Sequence, residues 1–506
     1  MPLPPHAAPS GSLIADVLAR LPLAEAFYQV WRALADEDVL QCIFDQHRGR
    51  SYQRNLSFGD MVRVLADAVT RYRGHGRPAI DQAIANNDLD THQRAVYAKL
   101  GRIPLPLAEA LLSQLTARLR ALLPAAVPHA HTPAALKDLD VIVIDGKKIK
   151  RVAKRLLELR GRPGRVFGGK LLVAYRPAEG WACALVADPD GEANDIRLVP
   201  RLVPAVRACV PGPRLWVADR QFCDLDQPGR FTEDGDHYVI RFAQKTSFHP
   251  DPARPARTGR DGAGRPFHEC WGWMGAVAQG ERRRYVRRIA LERPDEEAVI
   301  LVTDLLDADR YPATDLLAVY LSRWQIETVF QKITDVFELR HLIGCTPQAT
   351  VFQASLCLVI YNVLDALRAT IAASRPEPLE RHQLSLGNIF ADMHEELVSL
   401  HRVLSADEVA GRFEDPLTPE ELLARVRACL VRGWSDTWHK ATPKKPRVYK
   451  PQVTARKSGA HTSVHRALEN ARRPEARQDH TTYRVTCAKG WPRPPEDVRT
   501  YCRVQT

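Results

Sequence analysis

Residues 141–148 read VIVIDGKK: four apolar β-branched residues, then an aspartate, a glycine and two lysines. A continuous apolar run of this kind is typical of a strand that is buried on both faces of a sheet. Further strand patterns occur at 170–175, 182–187, 215–218 and 238–242, and a helical pattern occurs at 198–210. The sequence therefore predicts an α/β core in the order three strands, helix, strand, helix, strand.

Two aspartates come directly after apolar strands of this core. Asp145 follows the first strand, and Asp219 follows the fourth in the string LWVAD. In a sheet of order 3-2-1-4-5 the first and fourth strands are neighbours, so these carboxylates would lie side by side. Adjacent carboxylates repel unless a divalent cation neutralises them, and hard oxygen ligands suit Mg²⁺ or Mn²⁺. One aspartate after a strand is more often a turn or a helix cap, so the metal interpretation depends on the pair.

A third acid, Glu327, lies in a long helix pattern that runs from Asp315 to Leu339. At about 100° per residue, Tyr320, Arg323 and Glu327 share one face of this helix. Such a face can also be solvated or salt-bridged. Together with the two aspartates it is better interpreted as the lining of an active site.

The positive charge of the chain is concentrated in three stretches. The net charge is +12, and residues 440–506 carry 16 Lys and Arg against 5 Asp and Glu. Residues 147–170 hold ten basic residues and one acid, and a third cluster lies at 282–288. This arrangement favours nucleic acid as a partner. The C-terminal stretch is proline-rich and lacks a helical period, so we predict a flexible basic arm, although a solvated tail that aids solubility remains an alternative.

The sequence lacks the usual marks of secretion or membrane insertion. No apolar run reaches about 18 residues, and the N-terminus MPLPPHAAPS has no basic region leading into an apolar one. The ten cysteines form no C-x-x-C pair, which favours a reducing compartment. We expect a soluble intracellular protein with no membrane partner.

The three acids and their surroundings resemble the D-D-E transposases of bacterial insertion sequences. The most similar branch, insertion-sequence family four, has the signature Y-(2)-R-(3)-E-(6)-K, which Tyr320, Arg323 and Glu327 match here. Asp145 lies in a D-G-K context, and Asp219 lies in an A-D-R-x-F context. The resemblance covers about residues 140–345. It implies an RNase H-like core, a mixed sheet of order 3-2-1-4-5 with a β-rich insertion, and flanking helical regions.

The resemblance also implies a two-metal mechanism. Asp145, Asp219 and Glu327 would be the catalytic residues and the ligands of two Mg²⁺ or Mn²⁺ ions, with Asp145 bridging both. The protein would cleave DNA at the ends of its element and join those ends to target DNA. It would act as a homodimer on double-stranded DNA in the bacterial cytoplasm or nucleoid.

DNA contacts are implied as well, with one departure from the signature. Tyr320 and Arg323 would position the scissile phosphate, and Trp324 is a candidate for stacking on a flipped base. Trp324 could equally be a core aromatic. The final lysine of the signature falls at Thr334, and Lys332 is on another side of the helix. A cation from elsewhere, such as Lys147 or Lys148, could contact DNA in its place.

These patterns divide the chain into six regions. They are an N-terminal helical region with possible DNA-end binding (1–136), the first part of the core (137–245), a β-rich insertion (246–311), the glutamate-bearing helix of the core (312–345), a C-terminal helical region (346–439) and the basic tail (440–506). Two other functions stay open. The chain could be a decayed or repurposed transposase that only binds DNA, or a stand-alone nuclease with an RNase H-like core.

Overall fold

The computed structural model describes most of the chain. The described residues are 11–124, 132–150, 152–294, 296–339, 341, 343–377, 379–411, 417–440 and 461–472.

A mixed sheet forms the centre of the molecule. Its core strands are β1 (Asp140–Lys150), β2 (Arg165–Arg176), β3 (Trp181–Asp188), β4 (Arg214–Ala218) and β5 (His237–Arg241). They are ordered β3-β2-β1-β4-β5. The pairs β1–β4 and β4–β5 are parallel, whereas β1–β2 and β2–β3 are antiparallel. The predicted strand order, which is that of an RNase H-like fold, is confirmed.

The insertion continues this sheet and does not form a separate one. Its strands are β6 (Phe248–Pro250), β7 (Arg257–Arg260), β8 (Pro266–Met274), β9 (Arg284–Leu291) and β10 (Val299–Thr303). β10 pairs antiparallel with β5, and β9, β8 and β6 follow outward in that order. The predicted β-rich character is confirmed, and the insertion widens one edge of the core.

Helices cover both faces of the sheet. They are α1 (Gly11–Ala19), α2 (Pro22–Leu34), α3 (Glu37–His47), α4 (Phe58–Thr70), α5 (Gly76–Ala85), α6 (Gln93–Leu100), α7 (Leu105–Leu122), α8 (Val199–Cys209), α9 (Gln227–Phe231), α10 (Ala313–Ser322), α11 (Trp324–Asp335), α12 (Pro347–Ala373), α13 (Leu386–Val403), α14 (Ala406–Gly411), α15 (Pro419–Arg432) and α16 (Val464–Arg472). The predicted helical character of both flanking regions is confirmed where they are described.

The run VIVI at 141–144 explains why both faces are covered. Val141 and Val143 belong to the apolar core that α7 and α12 share with the sheet. Ile142 and Ile144 belong to a second core beneath α8. Because successive side chains of a strand point to opposite faces, a continuous apolar run requires a covering layer on each side.

The prediction of one long helix from Asp315 to Leu339 is wrong in one respect. It is divided into α10 and α11 at Arg323, and it ends at Asp335. The amide of Arg323 donates to the carbonyl of Tyr320, and the amide of Ile326 donates to that of Arg323, so both bonds span three residues instead of four. The tighter turn lies at the residue that the signature places in the active site.

The predicted flexible tail is also corrected in part. Residues 461–463 form strand β11, which pairs parallel with β2. Helix α16 follows, and its Arg466 forms an ion pair of 2.8 Å with Asp190. A three-residue strand and a nine-residue helix, between segments rich in proline and basic residues, are too short to be recognised from the sequence. Residues 441–460 and 473–506 lie outside the described residues, so their predicted flexibility stays a prediction.

Helix α12 requires a correction of the membrane argument. Among the described residues, α12 is the one helix that is long enough and apolar enough to cross a membrane, judged by length and composition. However, 94% of its most apolar window is buried inside the molecule. It also carries the buried charges Asp365 and Arg368. The helix is therefore a core element here, where its apolar surface packs against α7, β2 and β3.

Candidate active site

The two aspartates of the core are brought together by the register of β1 and β4. Val143 pairs with Val217 in the parallel ladder, and Asp145 and Asp219 each come two residues later. Both aspartates line one cavity of about 630 Å³. One expectation is corrected: Asp145 does not end its strand, because β1 continues to Lys150 through its pairing with β2.

Arg323 connects the third acid to this pair. Its guanidinium lies 3.2 Å from Glu327 Oε1 and 4.0 Å from Asp145 Oδ1. It also lies 5.9 Å from the centre of the Tyr320 ring, as the shared helix face predicts. The turn at Arg323 thus aims one buried cation between acids that come from β1 and α11.

The electrostatics of the site follow from burial and from this charge arrangement. Burial raises the pKa of Asp145 to about 7; Arg323 opposes the rise, while Asp219 and Glu327 add to it. Burial acts to lower the pKa of Arg323, but Tyr320 and the three acids outweigh it, so the net shift is upward. Burial also raises the pKa of Tyr320. Three acids therefore interact electrostatically with one arginine.

Basic side chains line the same cavity. Lys147 lies two residues after Asp145, and its ammonium donates to Thr334 Oγ1 at 3.0 Å and to the Phe330 carbonyl at 3.1 Å. Burial, with the nearby Lys150, lowers the pKa of Lys147 to about 8. The ammonium group of Lys147 on β1 thus lies next to Thr334 on α11.

The remaining predicted DNA contacts are placed differently. Lys148 also lines the cavity, and its ammonium lies 5.6 Å from the centre of the Phe167 ring. Trp324 is 64% exposed. The interpretation of Trp324 as a core aromatic is therefore wrong, and its indole is accessible beside the site. Lys332 is half-buried near Arg368 and Asp335, outside the cavity lining.

Sequence reasoning missed three polar residues of the cavity floor. Lys170 on β2 and Asp195 after β3 form an ion pair of 2.5 Å, and both are 4% exposed. The side chain of Gln221 donates to Asp195 at 2.6 Å. The one available signal was a lysine at the start of the apolar run KLLVAY, where a buried strand does not usually carry a charge without a partner.

The donor chemistry of the site suits a hard divalent cation. Carboxylates are the ligands that Mg²⁺ and Mn²⁺ prefer; Asp145 and Asp219 line one cavity, and Glu327 is near enough to Asp145 to raise its pKa. In the part of the chain that the structure describes, no three acids, histidines or cysteines are already gathered into a closed metal cluster. Arg323 lies between two of the acids instead. The residues fit such a cation in kind and in charge.

The strand order is that of an RNase H-like fold. Comparison with protein families agrees: residues 136–363 match the family described as the transposase DDE domain. This region, slightly under half of the chain, contains all three acids.

Among solved structures, the chain is similar to that titled "Cryo-EM structure of piggyBac transposase synaptic complex with hairpin DNA". The sequence identity is 13%, the TM-score is 0.37, and the alignment covers 82% of this chain and 88% of that chain. No curated protein matches the chain. The fold assignment therefore rests on the observed strand order.

Proposed function

We propose that this chain is the DNA transposase of a bacterial insertion sequence, which cleaves the element's ends and transfers them to target DNA. The observation that carries the proposal is the ion pairing of Arg323 with both Asp145 and Glu327, while Asp219 lines the same cavity as Asp145. It lies within the region that matches the transposase DDE domain.

The three acids are proposed to act together as metal ligands. Asp145, Asp219 and Glu327 would hold two Mg²⁺ or Mn²⁺ ions, and Asp145 interacts electrostatically with both of the other acids. When bound, such ions activate the attacking oxygen and stabilise the leaving oxygen of a phosphodiester. Asp145 must lose its proton to act as a ligand, and Arg323 favours the ionised form.

Arg323 and Tyr320 are proposed to position the scissile phosphate. The guanidinium has several donors in a planar fork, so it can contact a phosphate while it remains near a carboxylate. The ring of Tyr320 lies beside the guanidinium, with its centre 5.9 Å from it. The exposed Trp324 is proposed to stack on a base that leaves the duplex during cleavage.

The basic side chains would hold the DNA backbone. Lys147 and Lys148 face the cavity that Asp145 lines, and they are proposed to contact phosphates on either side of the cut. The basic tail would add contacts that do not depend on sequence. We further propose a homodimer on paired element ends, in the bacterial cytoplasm.

The proposal is tested by cleavage of a labelled DNA fragment that carries the gene's own flanks, with Mg²⁺ or Mn²⁺. We expect cuts at both flanks and transfer of the cut ends. Asp145→Asn, Asp219→Asn and Glu327→Gln should each abolish cutting, while the exposed Asp309→Asn is the matched control. Cutting that persists in the three variants would place the active site elsewhere.

Thr334 favours a second candidate function, a decayed or repurposed transposase that binds DNA. It replaces the lysine that the family signature has at this position. Metal-independent binding to the flanks without cutting would support this candidate. Cleavage without strand transfer would instead support a stand-alone nuclease.

A further inference from the structure

We propose that Asp195, Lys170 and Gln221 form a positioning unit that fixes the two core aspartates relative to each other for metal binding. The proposal rests on the proposed function of the site. The three residues line the cavity that Asp145 and Asp219 also line, and none of them belongs to the acid triad.

Gln221 carries the first link of this unit. Its backbone amide donates to Asp219 Oδ1 at 2.9 Å, and its side-chain amide donates to Asp195 Oδ2 at 2.6 Å. One residue therefore ties the carboxylate of Asp219 to a group anchored in a different segment. A metal-binding carboxylate whose orientation is fixed by such bonds loses less entropy when it binds.

The second link reaches Asp145 through the glycine that follows it. A Cβ atom on Gly146 would overlap the carboxylate of Asp195, so Asp195 packs directly on the strand backbone at this point. The buried carboxylate of Asp195 thus contacts the residue next to Asp145, and Gln221 links it to Asp219. The ladder of β1 and β4 sets the spacing of the two strands, and Asp195 contacts the neighbouring residues of both aspartates.

Lys170 keeps this third carboxylate from acting as a competing ligand. Its ammonium lies 2.5 Å from Asp195 Oδ1, and both side chains are almost fully buried. A buried ion pair contributes little stability compared with an apolar pair of the same volume, because both charges lose their hydration. Its occurrence at the floor of an acidic cleft is better explained by positioning than by stability.

The test compares Mn²⁺ binding, measured by calorimetric titration, in the wild-type protein and in Gln221→Ala. This substitution leaves the Lys170–Asp195 pair intact and removes its link to Asp219. We expect Mn²⁺ affinity to fall by about 10-fold, the usual effect of removing a group that orients a metal ligand. The melting temperature and the affinity for DNA without metal should stay unchanged. The exposed Gln82→Ala is the matched control.

Each outcome distinguishes this inference from the proposed function. If the wild type binds Mn²⁺, Asp145→Asn abolishes that binding and Gln221→Ala leaves it intact, the positioning unit is refuted and the metal site stands. If the wild type shows no saturable Mn²⁺ binding, the proposed metal site fails, and the unit fails with it. A parallel loss of melting temperature in Gln221→Ala would assign the residue a purely structural role.

Discussion

The ammonium group of Lys147 lies 3.0 Å from the hydroxyl of Thr334. The strand that carries Asp145 thereby supplies a positive charge at the helix position where the family signature has its own lysine. A short hydroxyl at 334 leaves room for the lysine from β1, whereas two lysines there would repel each other.

Substitutions at positions 147 and 334, made singly and together, test whether Lys147 supplies that charge. Lys147→Ala should weaken binding to the element ends and reduce the salt dependence by about 0.9 log units for each phosphate that the protein no longer touches. Thr334→Lys alone should lower the melting temperature, because it places a second cation beside Lys147. The double variant should recover both properties in a binding titration against salt. Tighter binding by Thr334→Lys alone, at unchanged stability, would contradict this prediction.

Metal affinity should depend on pH through Asp145. Burial and the neighbouring acids raise its pKa to about 7, so below pH 7 the carboxyl is protonated and a cation must displace the proton. We expect Mn²⁺ affinity to decrease by up to about 10-fold per pH unit below pH 7 and to level off above it. Calorimetric titrations between pH 6 and 8.5 would measure this. A profile without change across pH 7 would exclude Asp145 as the titrating ligand.

Gly146→Ala should disturb the site from within the strand. The added methyl group would overlap the buried carboxylate of Asp195, and displacing that group costs about 1–3 kcal/mol in a well-packed interior. Reduced melting temperature together with weaker Mn²⁺ binding is expected. Gly262→Ala is the control, since its added Cβ has no neighbour within 4 Å. Equal behaviour of the two variants would show that Asp195 can move without cost.

The buried charges of α12 should be important for stability. Asp365 forms ion pairs with Arg368 and with Arg381, the latter at 2.9 Å. Asp365→Ala leaves two buried cations without their acid, which costs about 3–5 kcal/mol. Asp309→Ala removes an exposed pair with Arg257, and we expect a cost of at most about 1 kcal/mol. The melting temperatures of the two variants, measured side by side, test this difference. Similar small decreases in both variants would contradict the prediction.

The sequence predicted the parts of the fold that local patterns determine. The apolar runs before Asp145 and Asp219 imply buried parallel strands, and the strand order then places both acids at one cleft. The break at Arg323 escaped prediction because the helical period continues through it. Asp195 and Lys170 escaped because their pairing joins segments that only the folded sheet brings together. Strand β11 escaped for the same reason, since its three residues pair with β2 across almost 300 positions of chain.

The packing of part of the tail on the core sheet changes how the role of the tail in DNA binding should be tested. Deleting everything from residue 440 onward would also remove β11 and α16, which pack on the core sheet. The basic charge before them is concentrated at Lys444, Lys445, Arg447, Lys450, Arg456 and Lys457, with no acid among residues 441–460. Replacing these six by serine removes the charge and keeps the packed elements.

If these side chains bind phosphates, the replacement should flatten the dependence of log affinity on log salt by about 0.9 for each phosphate that is no longer bound. The melting temperature should not change, because the substituted positions precede the packed strand. A variant with six other basic residues replaced by serine controls for the general decrease in positive charge; all six are exposed and lie outside the three basic stretches, namely Arg20, Arg77, Lys137, Arg230, Arg402 and Arg425. An unchanged salt slope in the tail variant, with a reduced slope in that control, would assign DNA binding to the body of the protein and leave the tail a solubilising role.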